Sequence, residues 1–137
     1  MPFHRDFDQP DRVLRTTIIG SVTLGEIDEH LRAIQRRHCE GRPELIDARE
    51  ALPGEISPRV LLIVAHRARF AIGTRTMARR AVVVSSDTSF VFARRFAAFV
   101  AGWLRIGVFY DMDAALEWVR QPAWAETLAR MARIASL

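Results

Sequence analysis

Apolar residues fall into short β-branched runs separated by longer stretches of helical spacing, with turn residues at nearly every change between the two. The set Val13, Thr16, Thr17, Ile18 and Ile19 predicts a strand over Arg12 to Gly20. A weaker strand pattern over residues 2 to 8, joined to it through Asp8-Gln9-Pro10-Asp11, makes an antiparallel hairpin of the pair. Thr23-Leu24-Gly25-Glu26 then matches a capping box: the Thr hydroxyl accepts the backbone N–H three residues on, and the Glu carboxylate reaches back to the Thr N–H. Leu24, Ile27, Leu31 and Ile34 follow at steps of three and four, with Asp28, Glu29, Arg32, Gln35 and Arg36 opposite. An amphipathic helix therefore starts there and runs toward Gly41 and Pro43.

The alternation continues to the end of the chain. Glu44 to Arg49, centred on Leu45 and Ile46, predicts a short strand, and Ser57-Pro58 opens a second helix, reaching about Phe70, because proline lacks an N–H that would be unsatisfied at that position. Arg80 to Ser85, with three consecutive valines, has the pattern of a strand covered on both faces. Asp87 or Thr88 caps a helix through about Ala101, Arg105 to Tyr110 is a further strand, and Asp111-Met112-Asp113 opens the helix Ala114 to Arg120 with carboxylates at its positive end. Pro122 starts a last helix with Trp124, Leu128, Met131 and Ala135 on one side. The order β-β-α-β-α-β-α-β-α-α predicts an α/β fold: a mixed, mostly parallel sheet of about five strands with an N-terminal antiparallel hairpin, right-handed crossovers and helices packed on the sheet.

Composition adds limits. With 137 residues, half of them hydrophobic, the chain supports one core, and a single domain over 1–137 is expected. Cys39 is the only cysteine, which excludes an intrachain disulfide and fits a reducing compartment. No apolar run approaches the roughly 20 residues of a spanning helix. Arg5, Asp6, Asp8 and Asp11 stand where a signal peptide would be apolar, so the expected location is the cytoplasm.

Charge is unevenly distributed. Residues 1–57 hold 8 Arg against 11 acids, residues 58–110 hold 9 Arg against Asp87 alone, and residues 111–137 hold 3 Arg against 4 acids. Such a basic middle steers an anion or an acidic partner, or it is a solvated helix face in a chain whose basic residues are all arginine. Nucleic-acid binding ranks last, since no base-reading motif accompanies the charge. Arg67, Arg69, Arg75, Arg79 and Arg80 concentrate around one helix end and the loop into a central strand, a candidate patch for an anion or an acidic partner.

Catalytic patterns are missing. His4, His30, His38 and His66 form no metal-ligand spacing, and Asp111 and Asp113 are explained by capping. There is no glycine-rich phosphate loop, and Cys39 lacks a positioned base, because His38 beside it on a helix points elsewhere. The chain is expected to be no enzyme and to hold no metal or cofactor.

The segments Ile19-Gly20-Ser21-Val22-Thr23, Glu44 to Arg49, Arg80 to Val83, and Val108-Phe109-Tyr110-Asp111 with Ala114 to Val119 resemble the bacterial SpoIIAA-like (STAS/SEC14-type) family over roughly residues 12–120. The resemblance implies a binding module related in fold to anti-sigma-factor antagonists and Sec14-type lipid carriers. In anti-sigma antagonists a phosphorylatable serine opens the helix after the second parallel strand, and Ser57 falls there. Its neighbours, Gly54-Glu55-Ile56 before and Pro58-Arg59 after, lack the Asp, the paired Ser and the Gly of that motif. Ser57 is thus read as a helix cap or as a regulatory phospho-site.

One helix carries more apolar surface than a sheet-covering helix needs. Phe90, Phe92, Phe96 and Phe99 spread over about half the circumference of the helix Thr88 to Ala101. They serve core packing, a dimer face or an apolar ligand pocket, in that order. Two functions follow: a non-catalytic STAS-like regulatory or protein-interaction module, expected as a homodimer with a protein partner, and a small carrier of a lipid-like or apolar ligand.

Overall fold

A computed structural model describes residues 3–52, 56–72, 78–102 and 104–136. Its elements are β1 (Phe3–Asp6), β2 (Leu14–Ser21), α1 (Leu24–Arg36), β3 (Glu44–Leu52), α2 (Pro58–Ile72), β4 (Arg79–Val83), α3 (Asp87–Val100), β5 (Arg105–Phe109), α4 (Met112–Arg120) and α5 (Ala123–Ala135). The sheet order is β1-β2-β3-β4-β5, with β1 antiparallel to β2 and every later pair parallel. Each crossover therefore advances one strand in the same direction, and crossovers of constant hand then place their helices on one face. Accordingly Leu31 of α1, Ala65 and Ala68 of α2 and Val100 of α3 bury together. α4 follows the last strand and packs on the opposite face, where Ala115 and Val119 meet Val13, Leu45, Ala81 and Val83.

Local chemistry sets the helix ends. The capping box forms as the spacing predicts, with Glu26 N–H donating to Thr23 Oγ1 at 3.2 Å and Thr23 N–H donating to Glu26 Oε1 at 3.0 Å. At the other end α1 stops at Arg36, several residues before Gly41. His38 takes a left-handed φ of 54°, and the N–H groups of His38 and Cys39 donate back to Gln35 and Ile34, which closes a Schellman turn. His38 is thus not on the helix. Ser86, rather than Asp87 or Thr88, caps α3 by accepting the Ser89 N–H at 3.1 Å, while the Asp87 carboxylate accepts the Tyr110 hydroxyl. Asp111 caps α4 through the Ala114 N–H.

Two further differences shape the upper end of the sheet. β3 runs three residues beyond Arg49, because a register shift between Thr17 and Ile19 lets Glu50, Ala51 and Leu52 pair with Ile19, Gly20 and Ser21. α2 packs mainly on its neighbours α1 and α3 rather than down onto the strands. Space is left beneath it. At the C-terminus α5 presents Leu128, Met131 and Ile134 to solvent; the Trp124 side chain lies outside the described residues.

Candidate binding pocket

That space is an apolar pocket of about 210 Å³ at the carboxyl ends of β2, β3 and β4. Ligands of open α/β sheets bind at the carboxyl ends of strands. Ile18, Ala48 and Val82 form its sheet side, Leu61 and Val64 of α2 its roof, and Phe92, Ala93 and Phe96 of α3 one wall. Ala48 and Ala51 both line it although they are three residues apart, which an unbroken strand would place on opposite faces. The register shift corrects their parity. Alanine at 48, 51 and 93 keeps the space open, and Ser89 is the one polar residue among the described lining residues.

An adjoining groove of about 590 Å³ runs between the start of α2 and α3, lined by Pro58, Asp87, Thr88, Val91, Arg95 and Phe99. It shares Ile56, Leu61 and Phe92 with the pocket, so the pocket has an apolar approach from solvent.

On the same sheet face, toward the amino ends of the strands, lies a buried polar network. Glu44, the first residue of β3, accepts the Thr16 hydroxyl at 2.8 Å and lies 2.9 Å from His30 Nε2 on α1 and 3.3 Å from Arg80 Nε on β4. Arg5 Nε–H donates to His30 Nδ1 at 2.8 Å, which leaves Nε2 as the donor to Glu44. Burial alone would raise the Glu44 pKa, but the His30 ring, the Arg80 guanidinium and the Thr16 hydroxyl outweigh it and hold the carboxyl at about 2. Phe3 joins the two regions, stacking on the His30 ring at 5.0 Å while lining the pocket. Glu44 itself is not among the pocket's lining residues, so the network meets the pocket only through Phe3.

The candidate residues separate. Phe92 and Phe96 face the pocket, Phe99 lies on the groove, and Phe90 stacks on Tyr110 at 4.7 Å outside both. Phe92, Phe96 and Phe99, at i, i+4 and i+7, follow one stripe of α3 along the pocket and groove, while Phe90 lies off that stripe. Ser57 is exposed beside the groove, and its hydroxyl accepts the Val60 N–H at 3.2 Å as a cap.

Of the arginines expected as a patch, two are drawn inside. Arg67 pairs with Asp28 of α1, and Arg75 lies outside the described residues. Arg79 and Arg80 are buried, because each finds partners from distant segments. Arg79 lies 4.9 Å over the Trp118 ring and donates to Trp118 O and Gln121 Oε1, while Arg80 meets Glu44 and donates to Glu40 O.

A polar cleft on the opposite face has no counterpart in the sequence reading. His4, Thr17 and Asp47 stand in register on β1, β2 and β3 and line it with Arg15. Its carboxylates are already engaged: Arg49 grips Asp47 at 2.9 Å and holds it below the usual carboxylate range, and Asp6 accepts from Asp8 N–H and Gln9. Among the described residues, no three His, Cys, Asp or Glu side chains converge as a metal site.

No protein-family model and no curated protein matches the chain. Among solved structures it is similar to an uncharacterised protein of the DUF3478 family with a SpoIIAA-like fold from Shewanella loihica PV-4, with a TM-score of 0.59 and 18% identity over 85% of this chain and 91% of that one. At that identity the likeness is one of architecture: the five-stranded mixed sheet and its helices are a SpoIIAA-like α/β fold.

Proposed function

We propose that this chain is a non-catalytic STAS-like regulatory or protein-interaction module, and that the pocket beneath α2 receives an apolar group of its partner. The observation that carries the reading is the pocket's size and lining. At about 210 Å³ it is smaller than the roughly 300–1,000 Å³ of sites that enclose drug-sized ligands, and it suits one apolar side chain delivered along the groove. Ser89, its one polar lining residue, has its own N–H committed to the Ser86 cap. Ser57 is a place for regulation: a phosphate there would add negative charge at the start of α2, beside the groove residues Ile56 and Pro58.

The same lining favours a second reading, a carrier for a small apolar ligand, since it offers almost nothing to satisfy a polar one. Affinity capture from the source cell with the wild type and with Ala93→Leu, alongside native mass spectrometry of the purified protein, separates the two. The interaction module predicts proteins captured by the wild type and lost with Ala93→Leu, and a native mass without adduct. Identical capture by both proteins contradicts it, and an apolar adduct absent from Ala93→Leu supports the carrier.

A further inference from the structure

We infer that the outer face of α2 and α3 is a docking surface for an anionic lipid membrane. Both helices connect parallel strands on one side of the sheet, so they lie side by side and run the same way. α2 contains no Asp or Glu. On its outer side Leu62 is 53% and Phe70 76% exposed, and on α3 Val91 is 50% exposed, with Phe99 beside it on the groove. Arg59, Arg94 and Arg95 are exposed on the same two helices. Asp87, the one acid between residues 58 and 110, is tied to the Tyr110 hydroxyl. The face thus combines protruding apolar groups with net positive charge, the single acid Asp87 standing at the start of α3 on the rim of the groove. That is the composition with which peripheral helices enter the boundary between headgroups and acyl chains.

Other occupants fit less well. Phe70 projects from the face instead of lining the groove, which suits insertion into a fluid layer better than a concave peptide site. A second copy would offer its own exposed stripe, Leu128, Met131 and Ile134 on α5, but Arg130 and Arg133 on that helix bring like charge to an arginine-rich face. The groove on this face joins the apolar pocket through the shared residues Ile56, Leu61 and Phe92, giving an alkyl chain an apolar entry. The inference concerns the outer surface and does not depend on what fills the pocket.

The test is co-sedimentation with vesicles of phosphatidylcholine alone and of equal parts phosphatidylcholine and phosphatidylglycerol, at low and high salt. Binding is expected to the mixed vesicles only and to weaken with salt. Arg94→Ala and Arg95→Ala should each weaken it about fivefold, and Phe70→Ser about tenfold. All three side chains are exposed, so unchanged thermal melting checks the fold. Absence of binding, equal binding to both vesicles, or variants that bind like the wild type would overturn the proposal. So would a wild type that ignores vesicles but self-associates through Phe70, since the face would then belong to a second copy.

Discussion

His30 on α1 donates from Nε2 to Glu44 Oε2 at 2.9 Å, joining the first crossover helix to the first residue of the central strand β3. The bond is buried at both ends, and Arg80 and Thr16 complete the shell around the carboxylate.

Removing that charge leaves the Arg80 guanidinium buried without its counter-ion. Breaking a buried pair from one side costs roughly 3–5 kcal/mol. Glu44→Gln, which keeps the shape and loses the charge, should destabilise the protein by that amount in urea denaturation. A loss under about 1 kcal/mol would show that the network does not brace α1 against the sheet.

The same carboxyl gives a pH signature. Its folded pKa of about 2 lies below the ordinary 4.5, so its contribution is fully present above about 4.5 and is lost as pH falls through about 2. The difference amounts to roughly 3 kcal/mol. The stability gap between wild type and Glu44→Gln should therefore narrow between pH 5 and pH 2. A gap independent of pH would contradict the assignment.

β5 and α4 approach closely at Gly107. A Cβ there would stand 2.8 Å from Phe109 Cε2 and 3.1 Å from Trp118 Cζ3, and the Trp118 ring is itself held under Arg79. Gly107→Ala should cost about 1–3 kcal/mol, as overpacking does. Phe109→Leu in the same protein should return part of the loss, which a thermal-melting cycle of single and double variants reads directly.

Much of the fold was open to reading because its signals are local. Thr23 and Glu26 identify each other at three residues' distance, and the valines at 82–84 identify a buried strand within their own run. What stayed hidden depends on partners far along the chain or on unmarked backbone. His38 closes α1 in a left-handed conformation that only a glycine or asparagine would have announced. The pair Arg79-Arg80 has the look of surface charge, yet Trp118 and Glu44, some 35 to 40 positions away, draw both inside. The Phe-rich helix pointed to the pocket wall through Phe92 and Phe96. The other wall needed a register shift between β2 and β3 that no periodicity shows.

Because alanines at 48, 51 and 93 leave the pocket unfilled, Ala93→Leu places a branched side chain into apolar space on a helix that tolerates leucine well. The variant should gain about 0.5–2 kcal/mol in stability. A loss of more than about 1 kcal/mol would mean that the site is packed rather than open.

The pocket as a receptor for an apolar group is the centre of the account, and methyl-resolved NMR of the protein titrated with n-hexanol, a plain alkyl probe, tests it most directly. Saturable shifts confined to the methyls of Ile18, Val64, Val82 and Val84, and abolished by Ala93→Leu, are the predicted result. Shifts scattered over the surface, or none at these four residues, would contradict it.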